Sequence, residues 1–436
     1  VRDIIAKAAD AISRKDPFLK APAPAPATQF SGYQKMVIGM LAFLQFAVIL
    51  DFMLMSPLGA LIMPALAITP KQFGLVVSAY AFAAGVSGLL TAGFADRFDR
   101  KKLLLFFFTG FLLGTLWCGL AQNFSTLLLA RTVTGLFGGV IGSVVMAIAT
   151  DLFALQMRGR VMGFIQTAFA ASQVLGIPFG LYLSTRWNWH VPFIAMAAFG
   201  AVGGLFIFSR MKPVADHLGL PHEHSPFMHL FHTVTEPRYL LAFVLVSVLA
   251  TGGFMLMPFS SAFTVNNLGI PADRLPTIYL VTGLCTIFIG PLVGKAADAV
   301  GRLPVFLTGT SMMIVLVLVY THLGVTPLPV VIVINVVMFL GIFSRMVPFQ
   351  ALMSQVPSVT QRGSFNAIGA SLQQLSGGLA SVIAGHIVVL GAGGKLERYD
   401  IAGYVVVASS LLSAFMVWHL NRSLRARAGA PGLVTG

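Results

Sequence analysis

Charge is what this chain has least of. Of its 436 residues only 10% are Asp, Glu, Lys or Arg, just 14 are acidic, and 57% are hydrophobic. With a mean hydropathy of +0.87, the chain is too apolar to be covered by a water-facing surface. An ordinary soluble protein is excluded, and lipid must be the solvent. Cysteine is scarcer still. Cys118 and Cys285 are the two present, both inside apolar runs and without the spacing of a disulfide framework or a thiolate metal site. Both are expected to be packing residues. Residues 1–35 are basic, hold the run APAPAPA and have no apolar core of signal-peptide type. Residues 1–15 fit a short basic amphipathic helix at the membrane surface, or a disordered tail. No phosphate-binding glycine loop, nucleophile elbow or intramembrane metal-ligand group is evident, so the chain reads as a non-enzyme without a cofactor or metal.

What the chain has in plenty is long apolar runs. Crossing a bilayer takes about 20 mostly apolar residues, and the sequence supplies twelve such spans, near 36–62, 73–94, 103–121, 124–149, 161–184, 190–209, 239–264, 275–297, 304–322, 327–350, 366–390 and 401–420. An all-α integral membrane fold follows, with lipid as a constant partner. Basic residues collect in loops that stay inside. With the N-terminus inside, the inner segments hold 21 of the 28 Lys and Arg and the outer loops hold five, Lys71, Arg186, Arg274, Lys395 and Arg398. Arg131 and Arg345 are left within spans. An even number of crossings then puts both termini in the cytoplasm. The net charge of +14 reads as this topological bias, and no nucleic acid is an expected partner.

The scarce charges are not scattered. Six of the ten residues Gly93 to Lys102, GFADRFDRKK, are charged, and they have a second copy. Asp96 and Arg100 correspond to Asp298 and Arg302 in GKAADAVGRLP, at an offset of 202. Further on, MRGRVMGFIQ around Arg158 corresponds to QRGSFNAIGA around Arg362, at an offset of 204. Two independent pairs at nearly one offset indicate a duplicated bundle. The expected organisation is a tail (1–35), a six-helix bundle (36–209), a linker (210–238), a second six-helix bundle (239–420) and a tail (421–436).

The decapeptide between the second and third spans resembles the loop signature of the major facilitator superfamily, roughly Gly-x-x-x-Asp-Arg-x-Gly-Arg-Lys. Asp96, Arg97, Arg100 and Lys101 match it, while Ala92 and Asp99 stand where glycines are expected; the second copy matches with Gly294, Asp298, Gly301 and Arg302. LLLARTVTGLFGG around Arg131 is similar to the family's fourth-helix motif. SQVLGIPFG is similar to the fifth-helix motif of its antiporters, with Gly176, Pro178 and Gly180 in place. The resemblance implies two halves that rock about a midplane site. It also implies a latch in which Asp96, with Arg97, Arg100 and Lys101, meets the eleventh span near Arg362, while Asp298 and Arg302 meet the fifth near Arg158. Such contacts exist only while the inner side is shut. A bacterial inner-membrane location and a monomer are implied as well.

Asp51 is the one acid deep in a span, and intramembrane ionisable groups mark function by default. At about 1.5 Å per residue, Asp51 lies roughly 8 Å below the outer boundary and Arg131 about 10 Å below it. They share a level. Either they form a static pair joining the first span to the fourth, or the carboxylate alternates between Arg131 and a proton. The family's drug:proton antiporters imply the second.

Candidates for contact with a small-molecule substrate are the polar residues expected to face the cavity: Tyr80, Gln166, Gln173, Asn335, Arg345, Gln373 and Gln374. Each serves equally well as glue between helices. Asn335 is the repeat counterpart of Arg131. Arg345 either attracts an anionic substrate or extends to the headgroups. Met53, Phe254, Met257, Phe339 and Met346 suit an adaptable apolar site or lipid-facing packing. Residues 226–234, with His229 and His232, are expected to lie along the membrane surface. Three readings remain open: proton-driven export of an amphipathic drug or metabolite, proton-coupled uptake or exchange of an organic anion, and a receptor or scaffold that does not transport.

Overall fold

The computed structural model describes residues 29–215, 218, 232–358 and 361–428, apart from the side chains of 92–94, 96 and 425–428. Residues 226–231 of the expected surface helix, most of the N-terminal tail and the last eight residues lie outside the described part, while 232–235 are helical. The side chain of Asp96 lies outside it too.

Twelve membrane-crossing helices follow one another. They are α1 (Gly32–Leu54, resumed at Gly59–Ala65), α2 (Pro70–Phe94), α3 (Arg100–Leu120), α4 (Phe124–Leu152), α5 (Leu155–Ala171, a π-helical turn Ser172–Gly176, then Ile177–Arg186), α6 (Val191–Arg210), α7 (Pro237–Leu256, a 3-10 turn Met257–Phe259, then Ser260–Asn266), α8 (Leu275–Val300), α9 (Arg302–Thr321), α10 (Leu328–Met353), α11 (Arg362–Ile387) and α12 (Tyr399–Ala428). A two-stranded hairpin, β1 (Val389–Leu390) with β2 (Leu396–Glu397), joins the last two. Their starts are set locally. Ser31 with Gln34, Thr69 with Gln72 and Asn123 with Thr126 form reciprocal caps, and Pro70, Pro192, Pro237, Pro276 and Pro329 sit in first turns, where a missing N–H costs nothing.

Eleven of the twelve are long and apolar enough to cross a membrane on composition alone. The other, α11, is built of Gly, Ser and Ala on its buried face because its neighbour comes close. A Cβ added to Gly74 of α2 would meet the Ser381 carbonyl oxygen at 2.6 Å, and one on Gly385 would meet the Pro70 carbonyl oxygen at 3.0 Å. Small residues buy this approach in place of greasy bulk. The first and seventh spans are not continuous as expected; each breaks two thirds of the way along and restarts.

Packing separates into three cores. One joins both halves on the side away from the basic loops, from Leu58, Phe73 and Leu181 to Phe259, Tyr320 and Tyr399. The other two lie toward the basic side. One is built from the first six helices, from Val37 to Val214; the other is built from the last six, from Tyr239 to Leu420, with Leu89 of α2 at its margin. Along the seam of α5 and α8 a Cβ on Gly283 would touch the Gln173 carbonyl at 2.8 Å, whereas Gly163 and Gly294, about three turns nearer the basic side, have nothing within 4 Å. Along this seam the halves part toward the basic side, whereas α2 stays against α11 as far as Gly88, where a Cβ would meet Ser371 Oγ at 3.4 Å.

Candidate functional site

The break in α1 sets up the site. Asp51 stands in its last helical turn and is fully buried. Arg131 of α4 donates from Nη1 to Asp51 Oδ2 at 2.7 Å, and Thr115 of α3 donates from Oγ1 to Asp51 Oδ1 at 3.1 Å. The guanidinium lies 4.5 Å from the ring centroid of Tyr80 on α2. Four helices thus converge on one carboxylate. In so apolar a setting both charges persist only as a pair with further hydrogen bonds. The Arg131 Nε is buried with no partner, which leaves the pair one hydrogen bond short of closure.

Backbone geometry below the acid depends on the fifth-helix motif. A Cβ on Gly176 would meet Leu50 Cδ1 at 2.6 Å, and one on Gly180 would meet Leu54 Cδ1 at 2.7 Å. These two leucines flank Asp51. Pro178 opens the second piece of α5, and the π turn before it inserts an extra residue where α5 crosses α1.

The candidate side chains are spread over both halves. Tyr80 is 1% exposed and packs on Arg131, so it belongs to the ion-pair centre. Gln173 is buried in the π turn at the α5–α8 seam. Arg345 does not extend to the headgroups: it is buried in the second half, where Nη2 donates to Ser413 Oγ of α12 at 3.2 Å. Gln166 and Gln373 are exposed, and Gln374 is half-buried. Asn335, half-buried, donates from Nδ2 to the Val331 carbonyl of its own helix at 2.8 Å. Cys118 is a packing residue of the far-side core, with Sγ 3.7 Å from Thr134 Oγ1.

Several latch groups are engaged within their own halves. Arg100 pairs with Asp151 at 3.1 Å and donates to the Ala95 carbonyl. Lys101 donates to the Phe208 carbonyl of α6. Arg158 closes the end of α4 through the carbonyls of Thr150 and Phe153. Arg302 donates to the Ala351 carbonyl of α10. Arg97, Asp298 and Arg362 are exposed.

Residues 51–55, DFMLM, and 253–257, GFMLM, are a further repeat at an offset of 202, and they coincide with the breaks in α1 and α7. The resumed pieces clasp each other. Ser261 Oγ accepts from the Ala60 amide at 3.3 Å and donates to the Ser56 carbonyl at 3.0 Å. Where the first copy has Asp51, the second has Gly253, with nothing within 4 Å of a Cβ placed there.

Twelve helices in two related halves, broken at equivalent places and closed on one side, are what comparison with known proteins returns. The family model for the Major Facilitator Superfamily matches residues 41–426. The chain belongs to this superfamily. It is 26% identical to the MFS-type transporter YceJ of Bacillus subtilis over 60% of this chain and 67% of that protein. It is 30% identical to Multidrug resistance protein 3 of the same organism, over 34% of this chain and only 28% of that one. Among solved structures, an inward-facing bacterial homologue of the human lysosomal transporter Spinster superposes with a TM-score of 0.70 at 15% identity, covering 93% of this chain and all of that one. The nucleoside transporter NupG superposes with a TM-score of 0.72 at 14% identity, covering 88% and 99%. At such identities the likeness is one of fold. The protein is a multi-pass membrane transporter of the major facilitator type, not an enzyme.

Proposed function

We propose that this transporter exports a small amphipathic molecule in exchange for protons across the bacterial inner membrane, acting as a monomer with both termini in the cytoplasm. The observation that carries this reading is the buried Asp51–Arg131 pair, 2.7 Å apart, placed beside the break in α1 and beneath the joined side of the two halves. A carboxylate there has two ways to be neutralised, by Arg131 or by a proton. Taking up the proton releases the guanidinium, weakens the tie between α1 and α4 and frees the halves to tilt. In this reading the basic side is cytoplasmic, and the molecule is open to receive cargo from within. The Phe52 ring lies 5.3 Å from Tyr80 and 5.7 Å from Phe254 between centroids, and the half-buried Phe52 and Phe254 suit an amphipathic ligand. Two relatives named for multidrug resistance, from Bacillus subtilis and Schizosaccharomyces pombe, add support for this cargo class. The latch of Asp96 and Asp298 would form on closure of the basic side.

The test uses proteoliposomes carrying a panel of amphipathic dyes. A proton gradient should drive dye accumulation through the native protein. Asp51→Asn should lose this accumulation yet retain gradient-independent exchange of the same dye. Undiminished gradient-driven accumulation in Asp51→Asn removes the coupling site. Absence of both activities in the native protein, for every dye, favours the non-transporting scaffold.

A further inference from the structure

The second half holds a buried charge that the ion-pair centre does not use. Arg345 of α10 is 8% exposed and lies eight residues before the end of its helix at Met353, which is about 12 Å from the basic side. No described carboxylate is paired with it. Its Nη2 donates to Ser413 Oγ at 3.2 Å, and the Ser413 hydroxyl is spent on the Ser410 carbonyl at 2.8 Å. On the other side stands the Phe306 ring of α9, its centroid 6.0 Å from the guanidinium carbon. Two buried polar atoms here have no partner, Arg345 Nε and, one turn before Ser413 on α12, Ser410 Oγ. Both can donate.

An unneutralised guanidinium among apolar helices is the costliest group the fold contains, and unmet buried donors add to that cost. The repeat shows that the fold does not demand it. At the offset of 204 the first half has Ile141 at this position, fully buried. The halves have therefore diverged in charge, with a neutralised acid–base pair in the first and a lone base in the second.

We infer that Arg345 and Ser410 form an anion-binding site within the second half, separate from the Asp51 centre, that takes one carboxylate or phosphate group. The planar guanidinium fork and a neighbouring hydroxyl match the two oxygens of such a group. Burial favours a full negative charge over a neutral acceptor. The group arrives either on a soluble amphipathic acid from the open cleft or on an anionic lipid drawn in from the basic-side leaflet. The site stands whether or not Asp51 carries protons.

The experiment measures thermal unfolding of the delipidated full chain in uncharged detergent, titrated with decanoate, inorganic phosphate or phosphatidylglycerol. At least one of the three should raise the midpoint saturably. Arg345→Met should abolish that response without lowering the midpoint of the anion-free protein, because an apolar side chain of similar length removes the buried charge. Arg345→Lys should weaken binding about tenfold, since the fork is lost while the charge stays. Ser410→Ala, a small change in a buried position, should weaken it several-fold and keeps the test valid if the arginine variants fold poorly. A response to phosphatidylglycerol alone identifies lipid as the source; a response to decanoate or phosphate identifies a soluble anion. An equal response in the native protein, Arg345→Met and Ser410→Ala overturns the site, and so does no response of the native protein to any of the three.

Discussion

Phe52 of α1 and Phe254 of α7 occupy equivalent steps of the DFMLM and GFMLM repeats, and their rings meet, 5.7 Å between centroids. A contact between repeat-equivalent residues lies on the pseudo-two-fold axis of the molecule. In the proposed cycle the halves would turn against each other there. Above this pair the broken ends of α1 and α7 are clasped by Ser261; below it the two cores separate. The joined side is held by few polar contacts, which makes its opening sensitive to single substitutions.

Ser261→Ala removes both hydrogen bonds of the clasp, to the Ala60 amide and the Ser56 carbonyl. At about 1 kcal/mol net for each bond, about 2 kcal/mol in all, the population with the far side open should rise about thirtyfold. Spin labels on Lys71→Cys and Lys395→Cys, both exposed on that side, in a background lacking the native cysteines, should report a longer distance component. An unchanged distribution would mean that the clasp carries no weight.

Gly74→Ala should act in the same direction by another route. Its Cβ would lie 2.6 Å from the Ser381 carbonyl oxygen and 3.2 Å from Gly385 Cα, both backbone atoms that cannot turn aside. α2 and α11 must separate, at a cost of about 1–3 kcal/mol. Gly163→Ala, with nothing within 4 Å, should leave the same label distances as they are. Equal effects of the two would show that the seam is not limiting.

The Asp51 centre predicts a stability effect separable from transport. Asp51→Asn strands the Arg131 guanidinium in a buried place, which costs about 3–5 kcal/mol. Adding Arg131→Gln should restore most of that, because two neutral amides can hydrogen-bond where one bare cation cannot. The pair of variants should recover the midpoint in thermal unfolding while remaining uncoupled in gradient-driven transport. Recovery of coupling as well would assign the proton to another group.

These relationships differ in how far they can be read from residues alone. The Asp51–Arg131 contact is legible because helical rise fixes depth and the spans contain a single deep acid to place. Depth is not direction, however. Polarity alone makes Tyr80 a cavity candidate and leaves Arg345 between a substrate contact and the headgroups, whereas rotation about the helix axis turns one onto Arg131 and the other into the second bundle. Thr115 carries no positional signal, one hydroxyl among many in apolar runs. The breaks in α1 and α7 were within reach: Ser56, Pro57 and Gly59 are turn residues inside an apolar run, and the MLM of each repeat marks the register. Charged pairs draw the eye to loops and away from that apolar match. Gly393 and Gly394, both at positive φ, likewise announce the turn of the β1–β2 hairpin.

Cys118 offers a reporter on the ion-pair centre itself. It is fully buried, with its sulfur 3.7 Å from Thr134 Oγ1, whose own proton goes to the Ala130 carbonyl at 2.7 Å. α3 and α4 are in backbone contact here, since a Cβ on Gly114 would stand 2.9 Å from the Thr134 amide nitrogen. A reagent therefore reaches the thiol only if these helices part, and tilting of the two halves as rigid bodies does not part them. Cys285 on α8 is half-buried and needs no such opening. In the native protein, N-ethylmaleimide should modify Cys285 at least about tenfold faster than Cys118, as local opening governs access to buried groups. Asp51→Asn should raise the Cys118 rate and leave the Cys285 rate alone, because the tie of α1 to α4 is loosened while α8 is untouched. Peptide mass spectrometry over a time course separates the two sites. Rapid labelling of Cys118 in the native protein would mean that the centre is not closed, and a rate unmoved by Asp51→Asn would mean that the ion pair does not hold these helices together.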